Sequence, residues 1–291
     1  MRVCCAILLV AAGLVGCAPT SPTVGSKVQA PSRPALAPTT QAVPLKGKPL
    51  HPFHGDRINR AKEMTNDPFW IRAREEAYRS PDELVAQAAR ESAHGQRFSI
   101  LRRGNPTRRQ VALTFDDGPH PDRTLKLLKI LKDSGIKATF FVIGKMVEAH
   151  PELLRAIAAD GHTVGNHTFS HVTLTKIPLA DIETEYGACS DIIEATLGKP
   201  PIYCRPPGGD YDRLVIQASE RLALRTVLWT DDPGDYAQPG DTVIMTRAMN
   251  RVSNGGILLF HDGVVETLDI LPQLIKGLKA KGFSFVTLDR L

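Results

Sequence analysis

From residue 111 to the end of the chain, short apolar runs alternate with stretches in which apolar residues recur every three to four positions. The runs at 111–115, 138–143, 162–165, 202–204, 222–229, 256–260 and 283–288 predict strands, and helical patterns fall near 122–133, 151–159, 179–197, 211–221, 241–253 and 267–281. Regular alternation of this kind predicts a parallel sheet with helices packed outside it, in one α/β domain over 111–291. At about 180 residues the segment is short for an eight-fold barrel, which typically takes about 250. An incomplete or distorted barrel and an open doubly wound sheet are the two expectations.

Upstream the pattern weakens. Residues 67–94 carry two short helical patterns, one opening at Asp67-Pro68 and one at Ser80-Pro81, where Glu83 stands as a capping-box partner. They belong to a helical preface over 51–110. Residues 18–50 hold seven prolines, four basic residues and no acidic one, the composition of an extended tether. Ahead of it, Arg2 precedes an uncharged apolar run of 13 residues, Val3 to Val15, then Gly16 and Cys17. A membrane-spanning helix needs about 20 apolar residues and a secretory signal core about 7 to 15. Residues 1–16 therefore read as an export signal. Its end, Leu14-Val15-Gly16-Cys17, resembles the bacterial lipobox, which makes Cys17 the expected lipidated residue and the start of a segment 17–50 that anchors the protein to a membrane. The expected location is the cell envelope, facing the periplasm or the exterior.

That location bears on the cysteines. Cys4 and Cys5 leave with the signal and Cys17 takes lipid, so Cys189 and Cys204 remain in a compartment that permits disulfides. One pairing is available to them, and two buried free thiols are the alternative. A catalytic thiol is a poor fit, because Cys204 lies inside the apolar run Pro201-Ile202-Tyr203-Cys204.

Composition is ordinary for a globular protein, with 42% hydrophobic and 23% charged residues in 291, which argues against wholesale disorder and a polytopic membrane protein. The formal charge of +5 is uneven: residues 1–110 carry 17 basic and 8 acidic side chains, residues 111–291 carry 19 and 23. The basic character belongs to the N-terminal third. A nucleic-acid partner therefore loses its support, since the segment with a folding pattern is mildly acidic.

In such folds chemistry collects where strands end. Asp116 and Asp117 follow the first predicted strand, Asn166 and His167 the third, Arg205 the fourth, Asp231 and Asp232 the fifth, His261 and Asp262 the sixth. One strand-end Asp is commonly a helix cap or a turn; five strands delivering ionisable groups to one rim point to a site. His167 and His171, spaced i and i+4, put both imidazoles on one side of a helical turn, and with one carboxylate they make a three-ligand metal site open to water. Of the adjacent carboxylates one is free to bind metal and the other to take a proton from the attacking water. His261, kept protonated by a nearby carboxylate, could serve a leaving group. His162 precedes its strand and reads as structural.

Thr114-Phe115-Asp116-Asp117-Gly118-Pro119, His167-Thr168-Phe169-Ser170-His171, Arg205-Pro206-Pro207, Asp232-Pro233-Gly234-Asp235 and Leu259-Phe260-His261-Asp262 resemble, in order, the five motifs of the polysaccharide deacetylase family (NodB homology, carbohydrate esterase family 4). The resemblance implies a distorted, incomplete (β/α) barrel of about seven parallel strands with outer helices, and hydrolytic removal of acetyl groups from N-acetylated sugars, with Zn²⁺ as the usual divalent metal. It assigns Asp117, His167 and His171 to the metal, Asp116 as general base oriented by Arg205, and His261 as general acid tuned by Asp235. Leu259 would line the acetyl pocket, the Gly208 N–H would face the oxyanion, and Tyr236 would border the sugar. Family members often carry Tyr or Phe at the position of Gly208 and Trp at that of Tyr236, so substrate preference is where this chain departs. The implied partner is an N-acetylated polysaccharide, peptidoglycan or exopolysaccharide, within reach of the membrane anchor. The rivals are an O-acetyl esterase of xylan type and a catalytically silent glycan-binding lipoprotein.

Overall fold

The computed structural model describes residues 54–64 and 78–291. The export signal, Cys17, the tether and the helix expected at Asp67-Pro68 lie outside the described residues. In chain order the elements are α1 (His54–Met64), α2 (Pro81–Ala93), β1 (Ile100–Leu101), β2 (Gln110–Gly118), α3 (Thr124–Asp133), β3 (Thr139–Val142), α4 (Gly144–Ala149), α5 (Pro151–Ala159), β4 (Thr163–Asn166), α6 (Leu179–Leu197), β5 (Tyr203–Cys204), α7 (Arg213–Arg221), β6 (Arg225–Val227), α8 (Asp241–Arg251), β7 (Gly256–His261), α9 (Val265–Ala280) and β8 (Ser284–Phe285).

All strand pairs are parallel. The sheet runs β1-β6-β5-β4-β3-β2-β7, with β8 paired to the start of β2. Beyond β6 the chain is drawn onto β7 by a parallel bridge between Asp231 and Leu258, where Leu259 N–H donates to Asp231 O at 2.9 Å. The row of strands thus curls back on itself as a distorted, incomplete (β/α) barrel.

The curl sorts side chains with the period of two that a pleated strand imposes. Val111, Leu113 and Phe115 of β2, Phe140 and Val142 of β3, and Leu258 and Phe260 of β7 pack outward in one core cluster with Leu127 and Leu131 of α3, Leu154 and Ile157 of α5, and Leu271 and Leu274 of α9. Phe115 anchors this layer, its ring centroid 5.3 Å from Phe140 and 6.1 Å from Phe260. Ala112, Phe141, Ile257, Leu259 and Trp229 belong to a second cluster, which continues to α2, α7 and β1. The polar positions Thr114, Asp116 and His261 share the parity of that second set, which directs their side chains inward.

Cys189 on α6 lies in the first cluster and Cys204 on β5 in the second, and both are free thiols. The disulfide that the sequence allowed is not formed. The Cys189 Sγ–H donates to Val142 O at 3.4 Å, whereas Cys204 Sγ lies 3.7 Å from Thr226 Oγ1. Burial pushes the Cys204 thiol up to about 12, so no reactive thiolate arises there.

Upstream of the barrel, α2 opens with the capping box that Ser80 and Glu83 predict: Ser80 N–H donates to Glu83 Oε2 at 2.8 Å and Glu83 N–H to Ser80 Oγ at 3.3 Å. Helix α1, absent from the sequence reading because its only apolar stripe is Ile58, Ala61 and Met64, docks on α6. There Arg57 forms a two-pronged pair with the buried Asp191, at 2.8 and 2.6 Å. Strand β1 was missed for its brevity and joins the sheet beside β6. His162 is buried ahead of β4, where its Nδ1 accepts from Ala138 N–H at 3.1 Å and desolvation lowers its pKa to about 4.

Candidate active site

The site begins with an irregularity in β2. Regular pleating would send Asp116 and Asp117 to opposite faces. Between Phe115 and Gly118 the register against β3 slips, because Phe115 faces Phe140 while Gly118 faces Val142, and Asp117 takes a left-handed φ of 72°. This bulge turns both carboxylates toward the rim, at a backbone cost of order 1–3 kcal/mol.

Asp116 is buried and held. Its Oδ1 accepts from Arg205 Nη1 at 2.7 Å, and the same nitrogen donates to Thr114 Oγ1 at 2.8 Å. Arg205 has no exposed surface, and its guanidinium lies over the Phe141 ring, 4.2 Å from the centroid. Burial lowers the Arg205 pKa, and the charge and hydrogen bond of Asp116, 2.7 Å away, oppose that shift. A buried pair of this kind fixes geometry more than it stabilises the fold.

Asp117 faces the two histidines. Its Oδ1 lies 3.1 Å from His171 Nε2 and 3.4 Å from His167 Nε2, and those nitrogens are 3.2 Å apart. His167 Nδ1 is 2.8 Å from the Arg205 carbonyl, which can only accept, so the proton sits on Nδ1 and Nε2 offers a lone pair to the centre. Asp117 Oδ1 is a buried oxygen with no hydrogen-bond partner. Asp117 Oδ1 and the two imidazole nitrogens lie within 4.8 Å of one another, and their oxygen and nitrogen character suits a divalent metal. Burial would raise the Asp117 pKa, but the neighbouring His171 and His167 hold it well below the usual carboxylate range.

The two histidines do not share a helix turn, as their spacing predicted. They sit on the loop that follows β4, in which Thr168 and His171 have φ of 66° and 56°. Three groups hold that loop. Asn166 Oδ1 accepts from Thr168 N–H at 2.8 Å and Thr168 Oγ1 accepts from His171 N–H at 3.0 Å. Fully buried Glu185 of α6 accepts from Phe169 N–H at 3.0 Å, Ser170 N–H at 2.8 Å and the Ser170 hydroxyl at 2.6 Å. Sequence reasoning missed Glu185. The signal was present: a carboxylate three residues after Ile182 and four before Cys189, on the buried stripe of a helix.

Across the rim, His261 ends β7. Its Nδ1 donates to Asp235 Oδ1 at 2.7 Å and its N–H to Asp235 Oδ2 at 2.8 Å, while Thr267 Oγ1 donates to Asp235 Oδ2 at 2.6 Å. Burial works against protonation of this imidazole, yet the charge and hydrogen bond of Asp235, helped by Asp117 and Asp116, raise its pKa to about 9. Leu259 is buried in β7, Gly208 is buried with φ 61°, and Tyr236 is 38% exposed beside His261, the ring centroids 5.6 Å apart.

Three strand-end carboxylates stay outside this group. Asp231 takes the Thr230 hydroxyl at 2.6 Å and sits against the start of β7; Asp232 accepts from Gly234 N–H at 2.7 Å and shapes the turn before Asp235. Asp262 accepts the Thr124 hydroxyl at 2.6 Å and packs behind Gly118, where burial raises its pKa to about 6.

The bulge, the paired histidines and the buried arginine thus converge on one rim of a (β/α) barrel. A family model described as polysaccharide deacetylase matches residues 103–227. A peptidoglycan-N-acetylglucosamine deacetylase of Bacillus cereus is 34% identical over 186 residues, 62% of this chain and 87% of that protein. A peptidoglycan-N-acetylmuramic acid deacetylase of Bacillus subtilis is 36% identical over 188 residues, 64% of this chain; the chain spans only 39% of its length. Among solved structures, a carbohydrate esterase family 4 pseudoenzyme from Bacillus anthracis superposes with a TM-score of 0.64 at 26% identity, covering 66% of this chain and 68% of that one. The chain belongs to the polysaccharide deacetylase family.

Proposed function

We propose that the protein removes acetyl groups from N-acetylglucosamine-containing polysaccharide of the cell wall or extracellular matrix. The observation that carries this is the unequal treatment of two adjacent carboxylates: Asp117 converges with two imidazoles, while Asp116 is pinned by Arg205. A divalent metal at Asp117, His167 and His171, Zn²⁺ by its affinity for nitrogen and oxygen donors in an open site, supplies Lewis-acid activation of water and of the acetyl carbonyl.

The chain's own groups do the rest. Asp116, held by Arg205, takes a proton from the water that attacks the acetamide carbon. The Gly208 N–H is the donor assigned to the oxyanion that forms. His261, proton on Nε2 and Nδ1 fixed by Asp235, gives that proton to the departing amine as the C–N bond breaks. Acetate and a free amino sugar leave. Leu259 bounds the space for the methyl group.

The names of the two Bacillus relatives divide between glucosamine and muramic acid units, so they support a peptidoglycan substrate and leave the sugar to experiment. An N-acetyl substrate is favoured over an ester by the raised pKa of His261, because an amine leaves only when protonated while an alkoxide demands less of the acid. A silent binding role, which the pseudoenzyme neighbour brings to mind, has no use for a pinned base opposite a protonated acid. We further propose that Cys17 is lipidated and that the Pro-rich tether holds this site within reach of wall polymer.

Asp116→Asn should keep the metal content of the wild type and lose acetate release by roughly 10²–10⁴-fold, the usual contribution of a positioned base. Asp117→Asn should lose both. Metal loss in both variants would show that the two carboxylates have been assigned the wrong roles.

A further inference from the structure

The catalytic motifs lie between β2 and β7, yet an aromatic ring from outside the barrel stands at the rim. Tyr78, in the preface just ahead of α2, stacks on Tyr236 with ring centroids 3.9 Å apart and planes 11° from parallel. Both rings present to His261 at steep angles, Tyr78 at 5.7 Å and 84°, Tyr236 at 5.6 Å and 75°. The position is fixed by its neighbours. Arg79 N–H donates to Gly208 O at 2.9 Å, and the Arg79 guanidinium grips Asp210 Oδ1 through Nη2 at 2.8 Å and Nε at 3.3 Å. Asp210 is in turn held by the Thr175 hydroxyl, and Ser80 immediately starts the capping box of α2.

We infer that Tyr78 is a sugar-contacting residue, through which the preface completes the substrate site. The inference rests on the deacetylase reading above. His261 Nδ1 is committed to Asp235, so Nε2 is the nitrogen left to serve substrate, and the sugar that carries the scissile amide has to lie beside the two rings that flank this imidazole. Tyrosine suits that place, because its ring face covers the apolar C–H surface of a pyranose. A ring needed only for packing would be covered, but Tyr236 is 38% exposed and Tyr78 is half-buried. Gly208, which carries no side chain, lends its carbonyl to hold the segment that brings the ring.

The test is steady-state deacetylation of tetra-N-acetylchitotetraose by the full chain loaded with metal. Tyr78→Ala raises KM about threefold to tenfold, the equivalent of one aromatic contact, while Tyr78→Phe stays within about twofold of wild type. Arg79→Ala, which loosens the segment and leaves the ring intact, moves KM in the same direction. An unchanged KM in Tyr78→Ala overturns the inference, and so does a lower one, which would mean the ring covers the site rather than lines it. A fall in kcat with a lowered melting temperature and no change in KM overturns it too, as the signature of a packing role. If the wild type releases no acetate from any glycan, the deacetylase reading fails separately. Tetrasaccharide binding by calorimetry then decides on Tyr78, and equal affinity in wild type and Tyr78→Ala overturns the inference.

Discussion

At the scale of single residues, the site depends on giving like groups unlike surroundings. Asp116 and Asp117 are neighbours in sequence, and the bulge in β2 separates their partners, an arginine for one and two imidazoles for the other. Asp235 does the same for His261, which would otherwise be driven neutral by burial. The sign follows. The folded pKa lies above the ordinary histidine value, so the imidazole stays protonated as pH rises past 6.5 and loses its proton near 9. The alkaline limb of kcat/KM should accordingly lie above the ordinary histidine range. Asp235→Asn removes the main groups opposing desolvation and should move that limb to lower pH, as read from a pH–rate profile. A limb that stays in place would detach Asp235 from the acid.

At the scale of elements, most boundaries could be read in the apolar pattern, and the failures have physical causes. The helices predicted near 122–133, 151–159 and 179–197 correspond to α3, α5 and α6. The spacing of His167 and His171 suggested a helical turn, whereas a loop with two left-handed residues brings them together. Sequence spacing reports separation along the chain, and a buried partner from another element can close the same distance without a helix. Glu185 is that partner. Glu185→Gln keeps the volume but turns an amide against groups that themselves donate, so it should weaken metal affinity by about 10–100-fold. It should also cost about 1–3 kcal/mol of stability. Metal titration and denaturant unfolding of the variant check both, and wild-type affinity would show that the loop holds itself.

At the scale of the whole molecule, the parallel barrel was legible because strands and helices alternate, and the rim of candidate site residues because five ordered motifs fall at strand ends. The contribution of the preface was not, since α1, β1 and Tyr78 act through contacts more than 100 residues away in sequence, such as Arg57 with Asp191 at |i−j| of 134. Charge divides in the same way. The basic N-terminal third belongs to the proposed anchor and preface, and the acidic remainder includes the carboxylates of the site. Cys17→Ala should shift the protein from membrane to soluble fractions, and unchanged fractionation would remove the lipid anchor from the account.

The central claim is deacetylation of N-acetylglucosamine polymers by a metal-dependent site, and one measurement bears on it most directly. Acetate release is followed from peptidoglycan, chitin oligomers, poly-N-acetylglucosamine and acetylated xylan, before and after chelation and again after Zn²⁺ is restored. The account predicts release from N-acetylated glycans over xylan, loss on chelation and recovery with metal. Full activity after exhaustive chelation, or release confined to xylan, would contradict it.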